Sequence, residues 1–172
     1  MTEVSKLKFR IEPLDKKHDR TAFSCGNTPL DRYLHEQAGQ DQRRNVAASF
    51  VLTEVNKRIV FGYYTLSAFS VNLGDLPQNM ARKLARYPNV PTTLIGRLVV
   101  DLKSHGQRFG EFLLMDALYR CLYHANEVAS FAVVVDAIDD QARAFYEHYD
   151  FLPLPRHRNR LFLPMQTIGQ LF

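Results

Sequence analysis

The run Gly96-Arg97-Leu98-Val99-Val100-Asp101, followed by His105-Gly106-Gln107-Arg108-Phe109-Gly110, reads as a strand, a turn and the start of a helix. Leu94 to Asp101 is the strand. From Phe109 to Ala125 the residues Phe109, Leu113, Ala117 and Cys121 recur at four-residue spacing, the mark of one apolar helical stripe. The turn therefore sets a row of backbone amides at a helix N-terminus, where unpaired N–H donors and the positive end of the helix dipole suit a phosphate or pyrophosphate. The same arrangement also occurs where nothing binds. Neither GxxxxGK(S/T) nor GxGxxG is present, and no GxSxG elbow or HExxH pair occurs, which leaves fewer enzyme classes to consider.

Outward from this segment, strand-like and helix-like pieces alternate, as expected of a single α/β unit. Leu7 to Leu14 is a first strand. Asn27 or Thr28 before Pro29 starts a helix, because a side-chain oxygen caps free N–H groups and proline sits where no donor is needed. Leu30, Leu34 and Ala38 give that helix its apolar face. Val46 to Glu54 and Ile59 to Ser67 flank the polar turn Val55-Asn56-Lys57-Arg58 and predict an antiparallel hairpin. Pro77 to Arg86 is a short helix, and Tyr87-Pro88-Asn89-Val90-Pro91 an extended loop. Val128 to Ala137 is a nearly unbroken apolar strand, buried on both faces as in a parallel pair. Asp139 or Asp140 caps a last helix through His148, and strands near Phe151 and at Arg160 to Leu163 close the chain.

The 172 residues, 46% hydrophobic and 23% charged, have the make-up of one compact domain spanning 1–172, too short for a TIM barrel or for two ordinary cores. Lys and Arg number 22 against 18 Asp and Glu, and the net charge of +4 favours polyanionic partners without identifying one. Cys25 and Cys121 are far apart and lack CxxC spacing, so no disulfide framework or zinc site is expected. The opening MTEVSKLKFR has no apolar signal core, and Ile59 to Gly74, interrupted by Thr65, Ser67, Ser70 and Asn72, falls short of a membrane helix. A cytoplasmic protein without membrane association or metal is the expectation.

Six blocks in order resemble the GNAT acetyltransferase superfamily and, within it, the toxin branch of bacterial type II toxin–antitoxin systems. They are Phe23-Ser24-Cys25-Gly26 with Leu30-Asp31 and Tyr33-Leu34, Gly62 to Ser67, Gly96 to Asp101, Leu113-Leu114 with Asp116-Ala117-Leu118, Val135-Asp136-Ala137, and Ala144-Phe145-Tyr146 before Phe151. The resemblance covers nearly the whole chain. It implies an α/β (α+β) acyl-CoA N-acyltransferase fold, a mixed central sheet with splayed central strands flanked by helices. The pantetheine arm of acetyl-CoA would pair with the splayed strand at Leu98, Val99 and Val100, near Ala137 and Phe145, by ordinary β-augmentation. His105, Gly106, Gln107, Arg108, Phe109 and Gly110 would hold the pyrophosphate. Here Arg108 replaces a family glycine, giving up backbone freedom while keeping the amide and adding a guanidinium that can pair with phosphate.

Tyr146 matches the family tyrosine that protonates the departing CoA thiolate, a task suited to a phenol of pKa ~10; without that resemblance it reads as a core tyrosine. Tyr149, three residues on, reads as packing. Tyr63 and Tyr64 alternate across a strand, so one is expected in the core and the other is available to an acceptor groove. No general base is assigned, and Asp101 and Asp136 read as strand-end caps. The toxin resemblance further implies an aminoacyl-tRNA acceptor whose phosphates meet Arg43, Arg44, Arg82, Lys83, Arg86 and Arg158 in three basic clusters. It also implies a block of translation, a ribbon-helix-helix antitoxin and a toxin homodimer. The alternatives are a GNAT enzyme acting on a small amine or protein amine, and a binding module that keeps the fold without the chemistry.

Overall fold

The computed structural model describes residues 8–84 and 87–172. Seven strands, β1 (Phe9–Pro13), β2 (Ala48–Glu54), β3 (Val60–Asn72), β4 (Asn89–Val100), β5 (Ala132–Asp136), β6 (Leu152–Leu154) and β7 (His157–Pro164), lie in one sheet in the order β1-β2-β3-β4-β5-β7-β6. β4 and β5 are parallel, whereas β1–β2, β2–β3, β5–β7 and β6–β7 are antiparallel. The sheet is flanked by helices α1 (Thr28–Arg32), α2 (Ala38–Arg43), α3 (Gln78–Ala81), α4 (Phe109–His124), α5 (Asp140–His148) and α6 (Met165–Ile168). The chain divides into two compact units, one holding the residues up to Ser67 with Gly96–Ala117, the other Ala68–Ile95 with Leu118–Phe172.

In the first unit the expected hairpin is present. Its turn places Asn56 at φ 66°, a left-handed conformation that asparagine tolerates. Asn27 caps α1 by accepting from the Leu30 N–H at 3.2 Å, and Pro29 stands in the first turn. The helical path then widens into a π turn at Tyr33–Gln37 that periodicity did not foretell: the Ala38 N–H donates to the Tyr33 carbonyl, five residues back. Leu34 and Ala38 are fully buried beside Tyr63 and Val99, so the apolar face read from the sequence is the one that packs. Phe109, Leu113 and Ala117 of α4 are likewise buried.

In the second unit Ala132 to Val135 are buried to within 1% of completely, because β5 lies between β4, paired over Thr93–Ile95, and antiparallel β7. The apolar run predicted burial and a parallel neighbour; only one neighbour is parallel. Asp139 caps α5 by accepting from the Ala142 N–H at 2.7 Å.

Several boundaries differ from the sequence reading. β3 continues to Asn72, since Val71 is needed in a cluster with Leu76, Val90, Leu154 and Phe162. Of the expected Tyr87–Pro91 loop, Tyr87 and Pro88 do lie outside any strand or helix, but Asn89–Pro91 is the start of β4. Pro91 fits because its φ suits an extended chain, and its carbonyl accepts from the Phe131 N–H at 2.8 Å. Of the expected Pro77–Arg86 helix the described residues hold only α3, Ala85 and Arg86 lying outside them; β5 begins only at Ala132, and the short α6 was not anticipated.

Candidate active site

Asp101, at the end of β4, organises the segment leading into the glycine turn. Its carboxylate accepts from the Lys103 N–H at 2.8 Å, capping a single 3-10 turn at Leu102–Ser104, and from the Ser24 N–H at 3.0 Å. The Ser24 carbonyl in turn accepts from the Leu102 N–H at 2.9 Å, and the Cys25 N–H donates to Asp31 at 2.8 Å. The Phe23-Ser24-Cys25-Gly26 block is therefore a clasp that fixes the approach to that turn. Asp101 caps as expected; its tie to Ser24, 77 residues earlier, had no local signal in the sequence.

Beyond this clasp, residues 105–108 are exposed. The His105 Nε2 lies 3.2 Å from the Val100 carbonyl, and because a carbonyl only accepts, Nε2 carries the proton in this contact. Gly106 has φ +83° with open space on its Cβ side. Arg108, an arginine at the glycine position of the family pattern, has φ 60°, a left-handed conformation that glycine adopts more readily. Arg108 stands where α4 begins, its carbonyl accepting from the Phe112 N–H, while its side chain makes an exposed 3.2 Å pair with Glu111. The amides of the first α4 turn have no intrahelical acceptor and open on to this loop. Alternating left-handed residues at such a terminus form an anion-binding concavity.

Along β4, Val99 is buried against Tyr33 and Tyr63, whereas Leu98 and Val100, on the opposite face, are half-buried. Backbone here runs close to β3: a methyl group at Gly62 would sit 2.9 Å from both the Val99 carbonyl oxygen and Leu113 Cδ1. Arg97, which sequence reasoning left without a role, lays its guanidinium 3.4 Å above the Tyr33 ring.

Tyr146 sits on α5 with its ring buried, 5.2 Å from Phe145 and 5.4 Å from Phe151 between centroids. Burial pushes its phenol well above the ordinary tyrosine range, so it is fully protonated at neutral pH. Phe145, half-buried, also meets Tyr149 edge to face, consistent with packing for Tyr149. Ala137 is buried, and its N–H donates to the Asn159 carbonyl at 2.8 Å.

The expectation that Tyr63 or Tyr64 opens on to an acceptor groove is not met. Both are completely buried, and both hydroxyls are engaged, Tyr63 donating to the Leu30 carbonyl at 2.7 Å and Tyr64 to Asp116 at 2.6 Å. Alternation does put them on opposite faces, but each face is covered: Tyr63 packs on Phe23 and Tyr33, and Tyr64 stacks on Phe50.

Of the basic residues, Arg43 and Arg44 are exposed at the end of α2 in the first unit. Arg82, Lys83 and Arg158 are exposed in the second, and Arg86 lies outside the described residues. The Arg158 carbonyl accepts from Arg143 Nη1. Arg160, in contrast, is committed to structure: it pairs with Asp136 through two bonds of 2.7 and 3.1 Å and lies 5.0 Å from the Phe69 ring centre. Cys25 and Cys121 are both free thiols. Among the described residues no group of His, Cys, Asp and Glu could hold a metal ion, and no helix is long and apolar enough to cross a membrane.

A mixed sheet of this order, with a left-handed turn between strand β4 and helix α4, defines an acyl-CoA N-acyltransferase of the GNAT class. No family model matches the chain. It is 31% identical over 179 residues to the probable toxin TacT of Sinorhizobium fredii, covering 99% of each protein. It is 36% identical over 153 residues to the tRNA-acetylating toxin of Mycobacterium tuberculosis, covering 89% of this chain and 90% of that one. Among solved structures it is similar to a tyrosine-to-phenylalanine variant of KacT, with a TM-score of 0.91 and 29% identity over 96% of this chain and 99% of the other. AtaT complexed with acetyl-methionyl-tRNAfMet gives a TM-score of 0.89 and 29% identity over 95% and 99%. A tyrosine-to-phenylalanine variant of AtaT, bound to acetyl-CoA and the C-terminus of the antitoxin AtaR, gives 0.82 and 27% over 96% and 98%. The chain belongs to the family of GNAT-type tRNA-acetylating toxins.

Proposed function

We propose that this protein is a toxin that transfers the acetyl group of acetyl-CoA to the free amine of an aminoacyl-tRNA and thereby stops translation. The observation that carries the reading is the loop at 105–110, with left-handed Gly106 and Arg108 at the start of α4, in a chain related to a tRNA-acetylating toxin over 89% of its length. Loop amides and the α4 dipole suit a pyrophosphate. Among the described residues the Arg108 guanidinium is tied by an exposed pair with Glu111, worth less than about 1 kcal/mol, which leaves it able to turn to phosphate. Leu98 to Val100 supply strand backbone for the pantetheine amides, and the family resemblance assigns Ala137 and Phe145 to the cofactor as well.

In the transfer step the amine nitrogen attacks the acetyl carbonyl carbon and the carbon–sulfur bond breaks. The departing thiolate takes a proton from the Tyr146 hydroxyl, and the proton lost by the amine passes to solvent, from which the phenolate is restored. An α-amino group has a reference pKa of ~8, so a useful fraction is already neutral and a dedicated base is not required. Burial raises the pKa of Tyr146, but a thiolate beside it is desolvated too. The mismatch therefore stays close to the ~1.5 units separating a phenol from a thiol, about 2 kcal/mol.

The same reading assigns Arg43, Arg44, Arg82, Lys83, Arg86 and Arg158 to tRNA phosphates, the whole of 1–172 to one catalytic domain, and the site of action to the cytoplasm. AtaT has been seen with its antitoxin AtaR; the corresponding partner proposed here is a ribbon-helix-helix antitoxin bound to a toxin homodimer. The test supplies labelled acetyl-CoA with charged or deacylated tRNA. Label on charged tRNA alone is the expected result, whereas active protein that labels a small amine or protein amine and leaves charged tRNA untouched would favour that alternative acceptor.

A further inference from the structure

Arg20 and Arg43 converge on one point. A methyl group added at Gly39 would lie 3.3 Å from Arg43 Nη1 and 3.8 Å from Arg20 Nη1, so the two nitrogens are no more than about 7 Å apart. Neither guanidinium has an ion-pair partner among the described residues. Arg20 is held by donating from Nη1 to the Leu34 carbonyl at 3.0 Å, and the nearby Asp41 carboxylate is engaged by the Tyr33 hydroxyl at 2.9 Å. Two like charges are thus brought together with no anion between them among the described residues. Gly39 itself lies within α2, where alanine would be the better helix former. It leaves open the space into which the two guanidiniums reach.

We infer that Arg20 and Arg43, across the gap left by Gly39, form a phosphate seat for the backbone of the RNA acceptor. The inference rests on the proposed acetylation of aminoacyl-tRNA and names one place where that RNA is held. A single phosphate, accepting from each guanidinium at about 2.8 Å through different oxygens, bridges this separation. The contact positions the strand and carries no sequence information, so it adds affinity for any tRNA and leaves the choice of aminoacyl group to other residues.

Binding of charged tRNA to the full-length protein, followed by fluorescence anisotropy between about 50 and 200 mM salt, tests the seat. Arg20→Ala/Arg43→Ala should weaken binding several-fold and flatten the slope of log K against log salt by about 0.7–0.9, the loss of one phosphate contact. The KM for charged tRNA should rise while that for acetyl-CoA holds. Because Arg20 also supports the Leu34 carbonyl, Gly39→Ala provides a second variant: it should keep or raise the melting temperature and yet weaken RNA binding. An unchanged salt slope in the double variant, or a fall in kcat with KM unmoved, overturns the seat. Wild-type protein that binds tRNA without acetylating it would instead overturn the functional reading, with the salt slopes still deciding the seat.

Discussion

The Ser24 N–H donates to Asp101 Oδ2 over 3.0 Å, joining a loop ahead of the first helix to the residue that closes β4. Together with the Lys103 N–H on Oδ1, it makes one buried carboxylate the anchor for the approach to the glycine turn. Asp101→Ala should lower unfolding free energy by about 2–4 kcal/mol, since two amides lose a charged acceptor. It should also raise the KM for acetyl-CoA several-fold. Urea denaturation and steady-state kinetics check both; wild-type stability in this variant would show that the clasp does not anchor the turn.

Tyr146→Phe is expected to lose 10²- to 10⁴-fold in turnover, the usual span for a positioned acid, with acetyl-CoA affinity unchanged. The ring, which makes the contacts to Phe145 and Phe151, stays in place, so melting should move little. Substantial activity in this variant would transfer the acid role elsewhere.

Tyr63 and Tyr146 both have phenols pushed upward by burial. In the unfolded chain they titrate near ~10. Below that value neither phenol contributes a pH dependence. Above it the unfolded state binds fewer protons, so stability falls as pH rises, by about 1.4 kcal/mol per pH unit for each phenol. Urea midpoints should be insensitive to these groups up to about pH 9 and decline steeply from about pH 10, less so in Tyr146→Phe. Equal slopes in the two proteins would contradict the burial argument.

Arg108 occupies a left-handed conformation that costs a non-glycine residue roughly 1–2 kcal/mol. Arg108→Gly removes that strain, offset in part by the greater freedom of glycine in the unfolded chain, and should be as stable as wild type or up to about 1 kcal/mol more so. Arg108→Ala keeps the strain and removes the cation. If the guanidinium holds phosphate, both variants show a raised KM for acetyl-CoA, and only the glycine variant gains stability.

Cys25, half-buried and beside Asp31, has its thiol pushed up to about 11, first by desolvation and then by that carboxylate. Cys121 is pushed up to about 12 by burial. Thiolate is the reactive species, so alkylation of the native protein at pH 7.5 should be far slower than that of a free thiol. Urea should restore both rates, and rapid labelling of folded protein would show that one thiol is not shielded.

Much of this architecture is readable from short-range pattern. The Phe109–Cys121 stripe, the hairpin around Asn56, the Asn27 and Asp139 caps and the buried run of β5 all arise from interactions spanning a few residues, which periodicity and cap chemistry record. The misreadings share a cause. Pro91 looked like a strand breaker because its missing N–H is visible in sequence, whereas Phe131, which uses its carbonyl, lies forty residues away. One of Tyr63 and Tyr64 looked available to a groove because nothing local announces the Leu30 carbonyl or Asp116, which take their hydroxyls. For the site, Tyr146 and the 105–110 loop are proposed from the family pattern, while the Ser24–Asp101 tie and the meeting of Arg20 with Arg43 depend on folding and leave no motif.

The π turn at Tyr33–Gln37 has a bearing on where those cations emerge. One extra residue in a single turn rotates everything after it by about 100° relative to an unbroken α-helix. The direction in which Arg43 leaves the surface is thus fixed by a count of residues rather than by any side chain. A single-residue deletion there, even at exposed Glu36 or Gln37, would swing the arginine to another quadrant while leaving the composition of the basic cluster untouched.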